Sequence, residues 1–221
     1  SAIEWWAHVM PGAVALKIGD DDITYRQLYD WSGRIAAGLI ARGVEPGDRV
    51  GICAANSAHY CVLIHGIIRA GAIVSPLNMR YTATEIAELT GETTPKIVFA
   101  DEDKIGLFDG LGLTVVPLAD VEASRHGDQA DIESALDPDA TVVIIATSGS
   151  TAKPKGVMFT NRSMTTYAAG WAIEEPHCTK GAKVIVPAPL STSAGFVQLI
   201  HYTVLGCTLY FETVFDPAGF L

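Results

Sequence analysis

Residues 141–157 read Thr141-Val142-Val143-Ile144-Ile145-Ala146-Thr147-Ser148-Gly149-Ser150-Thr151-Ala152-Lys153-Pro154-Lys155-Gly156-Val157. The first five are all β-branched, with no polar alternation, which reads as a strand buried on both faces. Four hydroxyl side chains and a glycine follow. Glycine lets neighbouring backbone N–H groups turn toward one point, the hydroxyls add donors, and Lys153 and Lys155 bring positive charge. That combination suits a polyphosphate. Pro154 stands where the common nucleotide P-loop has its second glycine, and it forbids a helix running through the loop. Gly156-Val157-Met158-Phe159 reads instead as a second short strand, with Thr160-Asn161 as caps for a helix over 162–169. The loop therefore joins two strands.

No acidic residue occurs between Asp139 and Glu174, whereas Lys153, Lys155 and Arg162 fall inside that window. This is a basic island in a chain of net charge −10, a balance that argues against nucleic acid or anionic lipid as a main partner. Of the 221 residues, 49% are apolar and 18% charged, which excludes a disordered chain. Cys53, Cys61, Cys178 and Cys207 show no Cys-x-x-Cys spacing, so reduced thiols in a cytoplasmic protein are expected. The start, Ser1 to Trp6, lacks the basic and apolar regions of a signal peptide. Two weakly charged stretches, 60–77 and 184–211, are broken by His65 and Arg69 and by Pro187, Pro189, Gly195 and Gly206. Neither reads as a membrane span.

The rest of the chain alternates strands and helices. Residues 14–25 read as a hairpin with an acidic turn at Asp20-Asp21-Asp22. Thr24 and Gln27 form a capping box, followed by Leu28, Trp31, Ile35, Leu39 and Ile40 at helical spacing and a stop at Gly43. Strands are expected at 49–54, 72–75, 96–100 and 113–118, and helices from Asn56-Ser57 to Gly71 and from Thr82 to about Gly91. Residues 119–139 look like an acidic surface segment. Downstream, 183–188 and 207–211 read as strands around a helix over 193–205. This rhythm predicts an α/β fold, a predominantly parallel sheet with flanking helices.

The ordered string Thr-Ser-Gly-Ser-Thr followed by Lys-Pro-Lys-Gly-Val resembles the signature loop of the adenylate-forming enzymes. That superfamily holds acyl-CoA synthetases, peptide-synthetase adenylation domains and firefly luciferase. Further landmarks agree: Ile23-Thr24-Tyr25-x-x-Leu28, Gly43-Val44-x-Pro46-Gly47-Asp48-Arg49-Val50, Asn56-Ser57, Gly71-Ala72 and Pro76-Leu77-Asn78. The resemblance covers nearly the whole chain and implies part of the family's large amino-terminal domain. It divides the chain into a first α/β subdomain over about 49–175, carrying the phosphate loop, and the start of a second over about 180–221. One departure is Ala152, where the family usually has glycine.

What the resemblance implies is ATP-dependent activation of a small carboxylic acid, followed by acyl transfer to coenzyme A. Thr147, Ser148, Gly149, Ser150, Thr151 and Lys155, with Lys153 beside them, are then the candidates for the β- and γ-phosphates of ATP. In Pro189 to Gly195 the family commonly has an aromatic residue and a histidine near the acyl pocket, and Ser191 and Thr192 take those places here. Thr192 and Phe196, with Val197 and Ile200, are pocket candidates; simple packing on the sheet is the other reading of the apolar three. The Mg²⁺-holding Tyr-x-x-Thr-Glu motif, the ribose aspartate and the adenylation lysine of the family have no counterpart here. The chain is therefore expected to be an amino-terminal fragment, inactive alone and prone to self-association through uncovered apolar surface. No metal ligand is assigned, because no pair among His8, His59, His65, His126, His177 and His201 has the spacing of a metal-binding helix face. A non-catalytic nucleotide- or phosphate-binding module, and an amino-acid-adenylating domain feeding a carrier protein, stay open as alternatives.

Overall fold

The computed structural model describes residues 1–128, 137–147 and 155–211, without the side chains of Thr147 and Lys155. Chain order is α1 (Ala2–Val9), β1 (Val14–Ile18), β2 (Asp21–Thr24), α2 (Tyr25–Ala41), β3 (Arg49–Cys53), α3 (Ala58–Arg69), β4 (Ile73–Pro76), α4 (Ala83–Thr93), β5 (Ile97–Ala100) and β6 (Val115–Pro117). It continues with β7 (Thr141–Thr147), β8 (Lys155–Thr160), α5 (Asn161–Glu174), β9 (Lys183–Val186), α6 (Ser193–Leu205) and β10 (Thr208–Phe211). The expected α/β alternation with mostly parallel pairing is present.

Six strands form one sheet in the order β6-β5-β3-β4-β7-β8, parallel throughout except for the antiparallel β7–β8 pair. Alternate residues divide between its two faces, as the period of two along a strand requires. Val50, Ile52, Ile97 and Phe99 join one apolar cluster, while Cys53, Val98 and Ala100 join another with Ile86 and Leu89 of α4. The first cluster also holds Leu28, Trp31 and Leu39 of α2 and most of α3. Ten of the twelve residues of α3 are buried, which explains why its sequence shows no polar stripe.

A second sheet has the order β2-β1-β10-β9. The β1–β2 hairpin lies outside both units drawn from the sequence, yet it supplies half of this sheet. β1 pairs in parallel with β10, Leu16 opposite Leu209, and the buried Tyr25 hydroxyl reinforces the join by donating to the Cys207 carbonyl at 2.7 Å.

Two local expectations need correction, and one element, α1, was not anticipated. Residues 2–9 form α1, with Ser1 and Glu4 as a capping box, and the Trp6 indole N–H reaches the Val204 carbonyl on α6 at 3.0 Å. α5 runs on to Glu174 rather than stopping at Ala169, since nothing there ends it before Pro176. A 3₁₀ stretch over Leu118–Ser124 takes the last residue of the strand expected at 113–118 and the start of the segment 119–139; it buries Leu118 and Val121, and the Val121 carbonyl accepts from the Trp31 indole at 3.2 Å. Residues 129–136 lie outside the described part.

Candidate functional site

The signature loop hangs from the β7–β8 hairpin. Val142, Val143 and Ile145 of β7 are buried, and Val143 sits opposite Val74 of the central β4. β8 returns antiparallel with Ile144 opposite Met158, Ile145 opposite Val157, Ala146 opposite Gly156 and Thr147 opposite Lys155. The ladder thus pins both ends of the loop at the β7–β8 edge of the sheet, with β7 anchored on the central β4. Gly156 leaves room there for the neighbouring strand: a Cβ would meet Ile144 Cγ2 at 2.7 Å and force that side chain to shift. Ser148, Gly149, Ser150, Thr151, Ala152, Lys153 and Pro154 lie outside the described residues, as do the side chains of Thr147 and Lys155.

Directly after β8, Thr160 caps α5 by accepting from Ser163 N–H at 3.1 Å. Arg162, counted in the basic island from sequence, is engaged by Asp139 through two bonds of 2.7 and 3.1 Å. The pairing holds the Asp139 carboxyl below its ordinary range and the guanidinium above its own. Its charge is thereby matched locally by a carboxylate on the strand side of the hairpin.

Beside the hairpin, β8, α5 and α6 enclose a groove of about 470 Å³. Tyr167 and Trp171 of α5 face Val197, Gln198, His201 and Tyr202 of α6 across it. His201 is the centre of an aromatic box, with edge-on approaches to Tyr167 at 5.8 Å and Trp171 at 5.5 Å between ring centres. Burial pushes its imidazole below the ordinary value, with the Glu175 carboxylate opposing. Gln198 Oε1 and His201 Nε2 are buried and have no partner among the described residues.

The pocket residues expected from the sequence separate in space. Thr192 is the N-cap of α6, accepting from Gly195 N–H at 3.3 Å and donating to the Pro189 carbonyl at 2.7 Å. Phe196 is fully buried in the main core, one position from Val197, which does line the groove. Ile200 faces a different cavity, beside His65 and Met164. Tyr167, Trp171 and His201 carried no sequence signal beyond aromatic character on two helices, because the box needs α5 and α6 side by side.

A second cluster was missed from sequence. Glu175, His177 and Cys178, in the turn that ends α5, bring a carboxylate, an imidazole and a thiol within 4.8 Å of one another. A search restricted to helical spacing passes over it. All four cysteines are free and buried, and no helix among the described residues is long and apolar enough to cross a membrane.

Comparison with known proteins places these features in a wider group. The family profile described as AMP-binding enzyme matches residues 3–221. The chain is 29% identical over 207 residues to the long-chain-fatty-acid–CoA ligase FadD13 of Mycobacterium tuberculosis, covering 89% of this chain and 41% of that protein. It is 29% identical over 219 residues to a feruloyl-CoA synthase of Amycolatopsis sp., covering 97% and 44%. The crystal structure of the inhibitor-bound N-terminal domain of FACL13 from Mycobacterium tuberculosis superposes with a TM-score of 0.89 at 26% identity, covering 99% of this chain and 58% of that one. The chain spans less than half the length of these curated relatives.

Proposed function

Because the chain belongs to the AMP-binding enzyme family, we propose that the protein carrying it activates a carboxylic acid with ATP and passes the acyl group to coenzyme A. A carboxylate is a poor electrophile at neutral pH, so its oxygen must first become part of a leaving group. The carboxylate attacks the α-phosphorus of ATP, the bond to the bridging oxygen breaks, and pyrophosphate departs. The acyl-adenylate then transfers its acyl group to the thiol, with AMP leaving. Reactions at phosphorus of this kind depend on positioning and on neutralising charge that grows on the departing phosphates.

The observation that carries this reading is the β7–β8 ladder, which fixes Thr147 across from Lys155 at the mouth of a loop rich in hydroxyls. We assign Thr147, Ser148, Gly149, Ser150 and Thr151 to donate to the β- and γ-phosphates, with Lys155 as counter-charge and Lys153 as a more peripheral cation. Between Asp139 and Glu174 there is no carboxylate. The loop itself brings hydroxyl and backbone oxygens, so Mg²⁺ in the intact protein would be held through the ATP phosphates and a carboxylate from outside 140–173. The groove between α5 and α6 is our candidate for the acid: its aromatic walls suit an apolar body, and Gln198 Oε1 and His201 Nε2, unpartnered among the described residues, favour one that carries a polar group. Four unpaired thiols suit a reducing compartment such as the cytoplasm.

The test is acid-dependent exchange of pyrophosphate into ATP by the intact protein, across a panel of amino acids and other carboxylic acids. Exchange with non-amino carboxylic acids, abolished for the most part by Lys155→Ala, is the expected result. Exchange with amino acids alone would instead assign the chain to an amino-acid-adenylating domain. Exchange with no acid would leave a non-catalytic binding module.

A further inference from the structure

The turn after α5 gathers three donor atoms of three different kinds, and shares no residue with the phosphate loop. Glu175 N–H donates to the Trp171 carbonyl at 2.7 Å, and Cys178 N–H donates to the Glu175 carbonyl at 2.9 Å, which folds the chain back on itself. The fold-back brings the Cys178 thiol to 3.3 Å from Glu175 Oε2, as donor to acceptor. The Tyr202 hydroxyl donates to the same oxygen at 3.4 Å. Cys178 is buried, whereas His177 is exposed on the rim of the turn.

We propose that this turn is a binding site for a thiophilic divalent cation, Zn²⁺ above all, with Cys178 Sγ, a Glu175 carboxylate oxygen and a His177 ring nitrogen as ligands. The donor set selects the metal class: sulfur with imidazole suits zinc, whereas Mg²⁺ and Ca²⁺ take oxygen. Geometry agrees. Across a tetrahedral zinc with Zn–S about 2.3 Å and Zn–O about 2.0 Å, the sulfur and oxygen stand about 3.5 Å apart, close to the 3.3 Å found here. All three donor atoms lie within 4.8 Å of one another, and rotation of the exposed His177 ring brings its nitrogen onto the metal.

Binding replaces the S–H bond of Cys178 by a sulfur–zinc bond and releases that proton to solvent. Tyr202 then acts on the ligand rather than on the metal, holding the carboxylate in orientation. Three protein ligands leave the fourth position open to water, on the exposed side of His177. Since Tyr202 also lines the groove between α5 and α6, an occupied site ties the end of α5 to the groove wall.

The experiment is titration of the reduced intact protein with Co²⁺ alone, followed by displacement with Zn²⁺. A thiolate-to-cobalt charge-transfer band with tetrahedral d–d bands, saturating at one equivalent, is expected. Cys178→Ser should remove the charge-transfer band and weaken Zn²⁺ by more than about 100-fold, whereas Tyr202→Phe should weaken it by the ~10–100-fold typical of an outer partner. His177→Ala, at an exposed position, supplies the same reading if the serine variant does not fold. Cys207→Ser should leave the band unchanged, although its thiol lies near the turn, donating to the Thr179 carbonyl at 3.5 Å. The proposal is overturned if no such band appears at stoichiometric Co²⁺, if it survives Cys178→Ser, or if His177→Ala leaves Zn²⁺ affinity unaltered.

Discussion

Asn56 Oδ1 accepts the backbone N–H of Leu190 at 2.8 Å, while its Nδ2 donates to the Ala188 carbonyl two residues earlier at 3.2 Å. One amide thus serves the backbone as a neighbouring strand would, across the gap between the end of β3 and the stretch leading from β9 into α6. Ser57, and not Asn56, caps α3. Asn56→Ala leaves both backbone groups without this partner, beside a fully buried Leu190, and should cost about 1–3 kcal/mol. Asn56→Asp keeps the acceptor but sets a carboxylate against the Ala188 carbonyl, so it should be at least as damaging. Urea unfolding of the three proteins checks this, and equal midpoints would remove the clamp from the account.

The same stretch makes Gly195 irreplaceable. In the first turn of α6 an added Cβ would sit 2.3 Å from the Pro189 carbonyl oxygen and 2.8 Å from that of Ala188. Both obstacles are backbone, so neither can swing aside. Gly195→Ala should therefore shift the start of α6, break the Thr192 cap and lower stability by about 1–3 kcal/mol, as overpacking does. In the intact protein the acid-dependent exchange should fall with it, because Val197 and His201 of the groove ride on this helix. A variant with parental stability and parental exchange would count against the arrangement.

What the sequence disclosed were features whose cause is local. The capping box Thr24–Gln27 is present, the helix expected from Thr82 starts there with a Thr82–Glu85 box, and of the expected stripe Leu28, Trp31, Ile35 and Leu39 are buried while Ile40 is exposed. Ser1–Glu4 is a signal of the same kind, which opens α1. α5 outran the 162–169 expected of it: Gly170 does not take the positive φ that would end a helix there. Thr94 shows the reverse: a non-glycine residue at φ +43° ends α4, held by Arg49, whose guanidinium donates to the Thr93 and Thr94 carbonyls at 2.7 and 3.0 Å. Pairing of β1 with β10, the Asp139–Arg162 contact and the His201 box all depend on segments brought together only by the finished fold. No window of sequence encodes them.

His65 should give stability a component that falls as the solution is acidified. Its ring is buried with Nε2 unpartnered among the described residues, and burial together with the Arg69 charge pushes its pKa from 6.5 to about 4. Between those values the unfolded chain takes up a proton that the folded chain refuses. Stability is then fully present above about pH 6.5 and is lost as the pH falls toward 4, at a slope of at most about 1.4 kcal/mol per pH unit. His65→Gln removes this titration while the carboxylates contribute equally to both proteins. The difference between the two stability profiles, measured by urea unfolding from pH 7.5 to 4.5, should narrow as the pH drops; a constant difference would sink the argument.

The two outer strands β8 and β9 present apolar side chains without cover among the described residues. Met158 is 67% exposed and Val157 40% on β8, at one end of the six-stranded sheet, and Ile185 is 49% exposed on β9, at one end of the other. An open strand edge offers unpaired N–H and C=O groups for pairing, and an apolar edge adds a driving force to pair with another copy. A polypeptide of these 221 residues prepared by itself should therefore self-associate in a concentration-dependent way. Charge placed on the edges should oppose it: Met158→Lys with Ile185→Lys should shift the population toward monomer while the far-ultraviolet circular dichroism stays that of the parent. Sedimentation equilibrium distinguishes the cases, and a parent that remains monomeric across the accessible concentration range would show that these exposed strands do not drive association.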